Sequence, residues 1–238
     1  MKLHELREQV WRANLELKAH KLIIYSWGNV SGIDRASGLL VIKPSGVPYD
    51  RLTPDAMVVT GLDGRVREGD YAPSSDTPTH AALYRAFPMI GGIVHTHSPH
   101  ATAFAQAGRE LPCLGTTHAD HFRGTVPVAR LPAPDEVRGD YEAHIGRLIA
   151  ERFRGLDPEA IPAVLAAGHG PFTWGADPVR AVANAVALEA VARMASLTLA
   201  LHPGAAALPD HLIDRHFTRK HGPGAYYGQP GAQAGDPA

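Results

Sequence analysis

The sequence predicts an α/β protein, a single domain with a central, largely antiparallel sheet flanked by helices, and three observations predict this class. The chain has 238 residues, of which 45% are hydrophobic and 20% charged, so it is long enough to bury one sizeable core. Short segments rich in Val and Ile, separated by Gly, Pro, Ser and Asp, follow the first twenty residues. Helical and strand-like segments then alternate along the rest of the chain.

The first twenty residues have the pattern of an amphipathic helix. Their apolar residues recur at spacings of three and four, which places them on one face of a helix. We therefore expect this helix to pack on the sheet. The residues concerned are Leu3, Leu6, Val10, Ala13 and Leu17.

A series of strand-like segments follows this helix. The segments are short and are bounded by turn-forming residues, which is typical of successive strands. Within this region, Asp63-Gly64 indicates a hairpin turn. The predicted strands lie at 22–25, 29–33, 39–43 and 57–60.

Helices and strands alternate in the second half of the chain. Pro78 fits the first position of a helix that continues through 81–87, and either Asp76 or Thr77 can cap it. We find no internal repeat and no Gly/Ser linker that would split the chain, so residues 1–238 are predicted to form one domain. The further elements are strands at 90–97, 163–167 and 171–174 and helices at 136–153, Pro178–Leu201 and around 212–220.

Charge and cysteine content argue against several partners. The chain has 23 Lys+Arg and 24 Asp+Glu and no basic run, so we expect no nucleic-acid binding. The charged N-terminus is unlike a signal peptide, and Asn184, Glu189 and Arg193 interrupt the most apolar segment, which predicts a buried helix and no membrane contact. A single Cys113 can form neither an intramolecular disulfide nor a Cys-based zinc site, so the cytoplasm is the expected compartment and any metal needs nitrogen and oxygen ligands.

Two histidines in the predicted strand 90–97 are the sharpest local indication of chemistry. The period of two places His95 and His97 on one face at a metal-chelating separation, although two surface histidines are an alternative in a chain with 14 His. His169, between two glycines after the predicted strand 163–167, suggests a third ligand with a position left for substrate. Asp76 is either a fourth ligand or the cap of the following helix.

Three short segments are candidates for an anion pocket. Backbone N–H groups at Gly turns and helix N-termini, together with Ser hydroxyls, bind phosphate without arginine. Each segment alone is a weak indication, because Gly and Ser form turns in every fold and none of the three is a Walker motif or a dinucleotide fingerprint. The segments are Gly28-Asn29-Val30-Ser31, Ser45-Gly46 and Ser74-Ser75.

The order of these motifs resembles the class II aldolase and adducin-head family over essentially the whole chain. Within that family the chain is similar to the sugar-phosphate 4-epimerases, which have Asp at the position of Asp76 where the aldolases have a catalytic Glu. Residues 225–229, Ala-Tyr-Tyr-Gly-Gln, are also typical of the epimerases. The motifs are Trp27-Gly28-Asn29-Val30-Ser31, Lys43-Pro44-Ser45-Gly46, Pro73-Ser74-Ser75-Asp76-Thr77, His95-Thr96-His97-Ser98 and Gly168-His169-Gly170.

The resemblance implies a metal site and a substrate site. It implies one divalent ion per subunit, expected to be zinc, with His95, His97 and His169 as ligands and Asp76 associated with the ion. The implied substrate is a phosphorylated pentulose. The residues implied to bind it are Gly28, Asn29, Lys43, Ser45, Gly46, Ser74 and Ser75.

Asp120 and Tyr227 match the acid/base pair of the epimerases. Without the resemblance, Asp120 is a loop carboxylate and Tyr227 an aromatic residue in a frayed tail. The family implies a homotetramer with shared active sites in which a neighbouring subunit donates Tyr227, so we expect the tail 222–238 to become ordered at a subunit interface. Glu142 and His216 rank below this pair as candidate helpers.

The implied reaction interconverts L-ribulose 5-phosphate and D-xylulose 5-phosphate. The hydrogen on C4 is not acidic, so the expected route breaks and re-forms the C3–C4 bond by a retro-aldol and an aldol step. A divalent ion bound by the C2 and C3 oxygens stabilises the developing charge, and rotation of the aldehyde fragment inverts C4. The alternatives are an aldolase that releases its fragments and a metal-free interaction module of the adducin-head type.

Overall fold

The strands of the sheet can be followed in a computed structural model that describes residues 3–222 and 224–226. Within these residues, eight strands form a single sheet. They are β1 (Asn29–Asp34), β2 (Leu39–Ile42), β3 (Val58–Gly61), β4 (Val66–Glu68), β5 (Gly92–His95), β6 (Val128–Ala129), β7 (Ala163–Ala166) and β8 (Gly170–Gly175).

The strand order is β4-β3-β2-β1-β5-β8-β7-β6, and every neighbouring pair is antiparallel except β6 and β7. Asn29 at the start of β1 lies opposite His95 at the end of β5, and His95 lies opposite Phe172 near the start of β8. One edge of the central strands therefore brings together these two predicted site residues and the β7–β8 turn.

The helices of the described residues surround this sheet. The largest hydrophobic cluster joins the central strands to α2, α3, α6 and α7, so the core is continuous across these elements. The helices are α1 (His4–Ala19), α2 (Thr77–Ala86), α3 (Pro99–Gln106), α4 (Thr116–Ala119), α5 (Pro134–Arg138), α6 (Tyr141–Arg152), α7 (Pro178–Leu201) and α8 (Asp210–Lys220).

The predicted fold class, an α/β domain with a largely antiparallel sheet, is confirmed. The predicted strand at 22–25 is wrong, because Lys21 and Tyr25 have φ of 59° and 55° and the segment forms turns. The predicted strand 90–97 is shorter than expected and ends at His95, and the predicted helix 136–153 is divided at Gly139 into α5 and α6. The elements that the sequence patterns missed are the short ones, β4, α3, α4 and β6.

Helix α7 is long and apolar enough to cross a membrane by length and composition alone, a test that the core helix of a soluble protein also passes. It packs against β8, β5 and α3, and its buried residues include Ala185, Leu188 and Ala192. The predicted buried helix is buried on one face only, because Met194 and Leu197 lie exposed. One face of the helix thus belongs to the core of the domain.

Candidate metal centre and substrate cleft

Three histidines from three different segments converge at the edge of the central strands. His95 ends β5, His97 lies in the link between β5 and α3, and His169 lies in the turn between β7 and β8. The Nε2 atom of His95 is 3.1 Å from that of His97 and 3.0 Å from that of His169. Two nitrogens bound to one tetrahedral zinc ion at about 2.0–2.1 Å are separated by about 3.3 Å. The three ring nitrogens are therefore spaced as ligands of a single small ion.

The protonation of these imidazoles suits metal binding. Nδ1 of His95 is 3.0 Å from the carbonyl oxygen of Pro171. A carbonyl only accepts, so Nδ1 carries the proton and Nε2 presents a lone pair to the centre. Burial lowers the pKa of His95 to about 3, and burial also holds the pKa values of His97 and His169 below the ordinary value. All three rings are consequently neutral near pH 7.

Backbone geometry explains the glycines on both sides of His169. Gly168 has φ of +70°, a conformation that other residues rarely adopt. A Cβ on Gly170 would lie 2.8 Å from the carbonyl oxygen of Thr96, in the segment that carries His97. The Gly-His-Gly sequence thus allows the turn to pack closely against the other two histidines. The sequence prediction that His97 lies on the strand itself is wrong, because it follows the end of β5, but its ring still meets that of His95.

Asp76 lies just before α2 and faces the same centre. Its side chain makes no capping hydrogen bond to α2, and its Oδ2 accepts a hydrogen bond of 2.6 Å from the amide of Asn29. Burial raises the pKa of Asp76, but the nearby imidazoles of His95 and His80 and the Asn29 amide lower it more, so the carboxyl stays ionised. Of the two interpretations of Asp76, the geometry favours a ligand or ligand partner over a helix cap.

An open cleft of about 410 Å³ contains this centre. The segment after β2, the turn before α2 and the start of β1 line it, so the three segments proposed as an anion pocket meet in one place. Its lining includes every residue expected to bind substrate or metal, namely Gly28, Asn29, Lys43, Ser45, Gly46, Ser74, Ser75, Asp76, His95, His97 and His169.

Lys43 is the cation among the residues expected to bind substrate. Its side chain is buried, its Nζ donates a hydrogen bond of 3.2 Å to the carbonyl oxygen of Pro44, and Nζ lies 5.0 Å from the ring centroid of Tyr49. Burial lowers the pKa of Lys43 to about 8. The Lys43 amine therefore loses its proton more readily than an ordinary lysine does, and an anion beside it would favour the protonated, charged form.

Asp120 is not among the residues that line this cleft. Arg219 of α8 holds both of its oxygens, with Nε 2.9 Å from Oδ1 and Nη2 2.5 Å from Oδ2, and Nδ1 of His216 is 3.1 Å from Oδ1. Burial raises the pKa of Asp120, but the hydrogen bonds from Arg219 and His216 lower it more. Tyr227 lies outside the described residues.

The cleft also contains residues that no motif indicated as site residues. The hydroxyl of Tyr141, the first residue of α6, lies 3.4 Å from Nδ1 of His169. The ring of Trp27 approaches that of His97 at 6.2 Å between centroids. Trp27 belongs to the motif Trp27-Gly28-Asn29-Val30-Ser31, so its neighbours in the sequence indicated the site, whereas only the packing of α6 brings Tyr141 to the cleft. Glu142, a candidate helper from the sequence, also lines the cleft.

Comparison with known proteins agrees with this geometry. The sequence model of the class II aldolase and adducin N-terminal domain family matches residues 8–196 of this chain. The L-ribulose-5-phosphate 4-epimerase UlaF of Salmonella paratyphi A is 52% identical over 227 residues, which cover 95% of this chain and 100% of that protein.

Two solved structures have the same fold. An L-fuculose 1-phosphate aldolase has a TM-score of 0.79 at 24% identity, covering 90% of this chain and 95% of that chain, which shows the fold alone. The L-fuculose-1-phosphate aldolase from Thermus thermophilus has a TM-score of 0.66 at 25% identity, covering 85% of this chain and 98% of that chain.

Proposed function

The chain belongs to the class II aldolase and adducin N-terminal domain family, and on this premise we propose that it is a metal-dependent epimerase that interconverts L-ribulose 5-phosphate and D-xylulose 5-phosphate. One observation carries the proposal: the three converging histidines share a cleft with the serine- and glycine-containing turns. A metal site beside an anion pocket fits a substrate with oxygens to chelate at one end and a phosphate at the other.

The donor set fits a divalent ion. Three neutral imidazoles and the ionised Asp76 carboxylate are ligands that zinc accepts, and we propose one zinc ion per subunit held by His95, His97 and His169. When bound, such an ion supplies Lewis-acid stabilisation of the negative charge that develops as the C3–C4 bond breaks. Asn29 holds the Asp76 carboxylate toward this centre.

The turns around the cleft hold the phosphate of the substrate. Ser74 and Ser75 precede α2 and line the cleft, so their hydroxyls can face an anion. Gly46 has φ of +67°, and nothing would lie within 4 Å of a Cβ there, so its backbone is open to a ligand. A phosphate held here retains the aldehyde fragment between cleavage and re-formation of the C3–C4 bond. This retention distinguishes an epimerase, which rejoins the two fragments, from an aldolase, which releases them.

The acid/base work belongs to Asp120 and Tyr227 in our proposal. As the C3–C4 bond breaks, the C4 hydroxyl gives up its proton and becomes an aldehyde oxygen, and on re-addition from the other face this oxygen must regain a proton. Two groups on opposite sides of C4 are therefore required. Because Asp120 is not part of the cleft lining of its own chain, we propose that it acts in the cleft of a neighbouring subunit.

A closed homo-oligomer follows from this arrangement, and we propose a cytoplasmic tetramer in which the tail 222–238 is ordered by a neighbouring subunit. The tail begins close to Asp120, because α8, whose Arg219 binds Asp120, ends at Lys220, two residues before the tail. Glu142, which lines the cleft, and His216, which contacts Asp120, are the next candidates for assistance.

A stereospecific product assay tests the function. The zinc-loaded protein is incubated with L-ribulose 5-phosphate, and D-xylulose 5-phosphate, dihydroxyacetone and glycolaldehyde phosphate are all measured. We expect D-xylulose 5-phosphate without accumulation of the two fragments. Stoichiometric release of both fragments would identify an aldolase, and the absence of any product would favour a non-catalytic module.

A further inference from the structure

Helix α3 connects two of the three histidines of the centre. It begins at Pro99, two residues after His97. Near its other end, the carbonyl oxygen of Ala105 accepts a hydrogen bond of 2.9 Å from the backbone N–H of Gly168, the residue before His169. His95, in contrast, is held by the pairing of β5 and by the carbonyl of Pro171. A displacement of α3 would therefore move two histidines relative to the third.

A carboxylate from another helix holds the first turn of α3. Oε1 of Glu189 accepts a hydrogen bond of 2.9 Å from the backbone N–H of His100, and Oε2 accepts one of 2.9 Å from that of Ala101. These N–H groups have no partner within a helix, and Ser98 makes no side-chain capping bond to them. The negative charge also lies where the helix dipole is positive. Glu189 thus takes the place of the missing N-cap from a position 88 residues away along the chain.

We propose that Glu189 is a positioning residue of the metal centre, which acts through α3 to place His97 and His169 around the ion. The inference rests on the proposed metal function and extends it to a residue of α7 that contacts neither the cleft nor a histidine of the centre. It also accounts for an acidic residue in the middle of the apolar α7. Packing does not require a charge there, but the N–H groups of His100 and Ala101, which α3 itself leaves without a partner, are satisfied by it.

Cobalt binding to the purified full chain tests this inference. Glu189→Gln keeps the size of the side chain but removes its charge and one of its two acceptor oxygens. We expect Co²⁺ to bind this variant about tenfold more weakly than the wild type in competition with a chelator, as for other residues that orient metal ligands. We also expect a changed visible absorption spectrum of the bound Co²⁺. Val191→Ala, on the same helix and in the core, is the matched control, which should lower the melting temperature and leave Co²⁺ affinity and spectrum unchanged.

The outcomes separate this inference from the proposed function. Unchanged Co²⁺ affinity and spectrum in Glu189→Gln would overturn the positioning role, whatever its melting temperature. If Glu189→Gln does not fold, Glu189→Asp is measured in the same way, with weaker Co²⁺ binding expected because the shorter side chain cannot reach both amides. Absence of Co²⁺ binding by the wild type would overturn the metal function first and this inference with it.

Discussion

The Nε2 atoms of His95 and His169 lie 3.0 Å apart, although 74 residues separate them in the sequence. The antiparallel pairing of β5 with β8 produces this contact, because it places His95 opposite Phe172, three residues after His169. The rings of His95 and Phe172 stack at 4.2 Å between centroids, which further fixes the first histidine. His95 is therefore held on a rigid strand, and His97 and His169 lie in the segments next to the strand ends, so a change in one ligand should leave the sheet intact.

Replacing one of these histidines should remove the metal and the activity together. We expect His169→Ala to lose most of its bound zinc and to turn over L-ribulose 5-phosphate at least about 100-fold more slowly, because even residues that only support metal ligands have effects approaching this size. Metal analysis and the product assay measure both effects, and His202→Ala, an exposed histidine at the end of α7, is the control. Full activity of a metal-free wild-type preparation would refute this prediction.

A negative charge in the proposed phosphate pocket should weaken substrate binding. Ser75→Asp places a carboxylate against the phosphate, and we expect a cost of about 1–3 kcal/mol in binding. Ser75→Asn, which is similar in size but neutral, should cost less. Calorimetric titration with substrate measures the two affinities. Equal affinities in the Asp and Asn variants would place the phosphate elsewhere.

Lys43 should make substrate binding depend on pH on the alkaline side. Its pKa in the free site is about 8, so the cation that attracts the phosphorylated substrate is lost as pH rises through this value. We expect the dissociation constant to be constant below about pH 7 and to rise above pH 8. Lys43→Gln should bind more weakly at neutral pH and lose this dependence, which titrations between pH 6.5 and 9.5 will show.

His118 should destabilise the fold at acidic pH. It is buried beside the carbonyl oxygen of Gly124, and burial lowers its pKa from 6.5 to about 4. As pH falls, the unfolded chain therefore takes up a proton at this histidine before the folded chain does. The contribution of neutral His118 to the free energy of unfolding is complete above about pH 6.5 and is lost as pH falls toward 4. Denaturant unfolding should show His118→Gln losing less stability than the wild type over this range, by an amount on the order of 2–3 kcal/mol. Identical pH slopes would contradict this assignment.

Mixed oligomers should reveal whether Asp120 acts in a neighbouring cleft. Asp120→Asn and His169→Ala should each be nearly inactive, but dissociation and reassembly of an equal mixture should restore activity at roughly a quarter of the sites of a head-to-tail ring. Verified subunit exchange without recovered activity would assign both residues to the same chain's site. An equal mixture of Asp120→Asn and Tyr227→Phe, measured alongside, should recover activity if Asp120 and Tyr227 reach one cleft from different subunits, and should stay inactive if a single subunit donates both.

The sequence by itself determined the features whose cause is local. The paired His95 and His97, the glycines around His169 and the serine-containing turns are chemical patterns within a few residues, and α7 was predicted with the bounds Pro178–Leu201 that it has. The short helix α3 was missed because its eight residues, which begin with Pro99, are too few to show a clear helical periodicity.

Only the tertiary structure decided which distant groups meet. Arg219 binds Asp120 across 99 residues, and Glu189 caps α3 across 88. Tyr141 reaches His169 through the packing of α6. These contacts depend on sheet register and helix packing. From the sequence alone, each of these polar residues has many possible partners along the chain. Burial selects one of these partners. A charge or an amide that is removed from water must form a hydrogen bond or an ion pair with a group that the fold brings within reach.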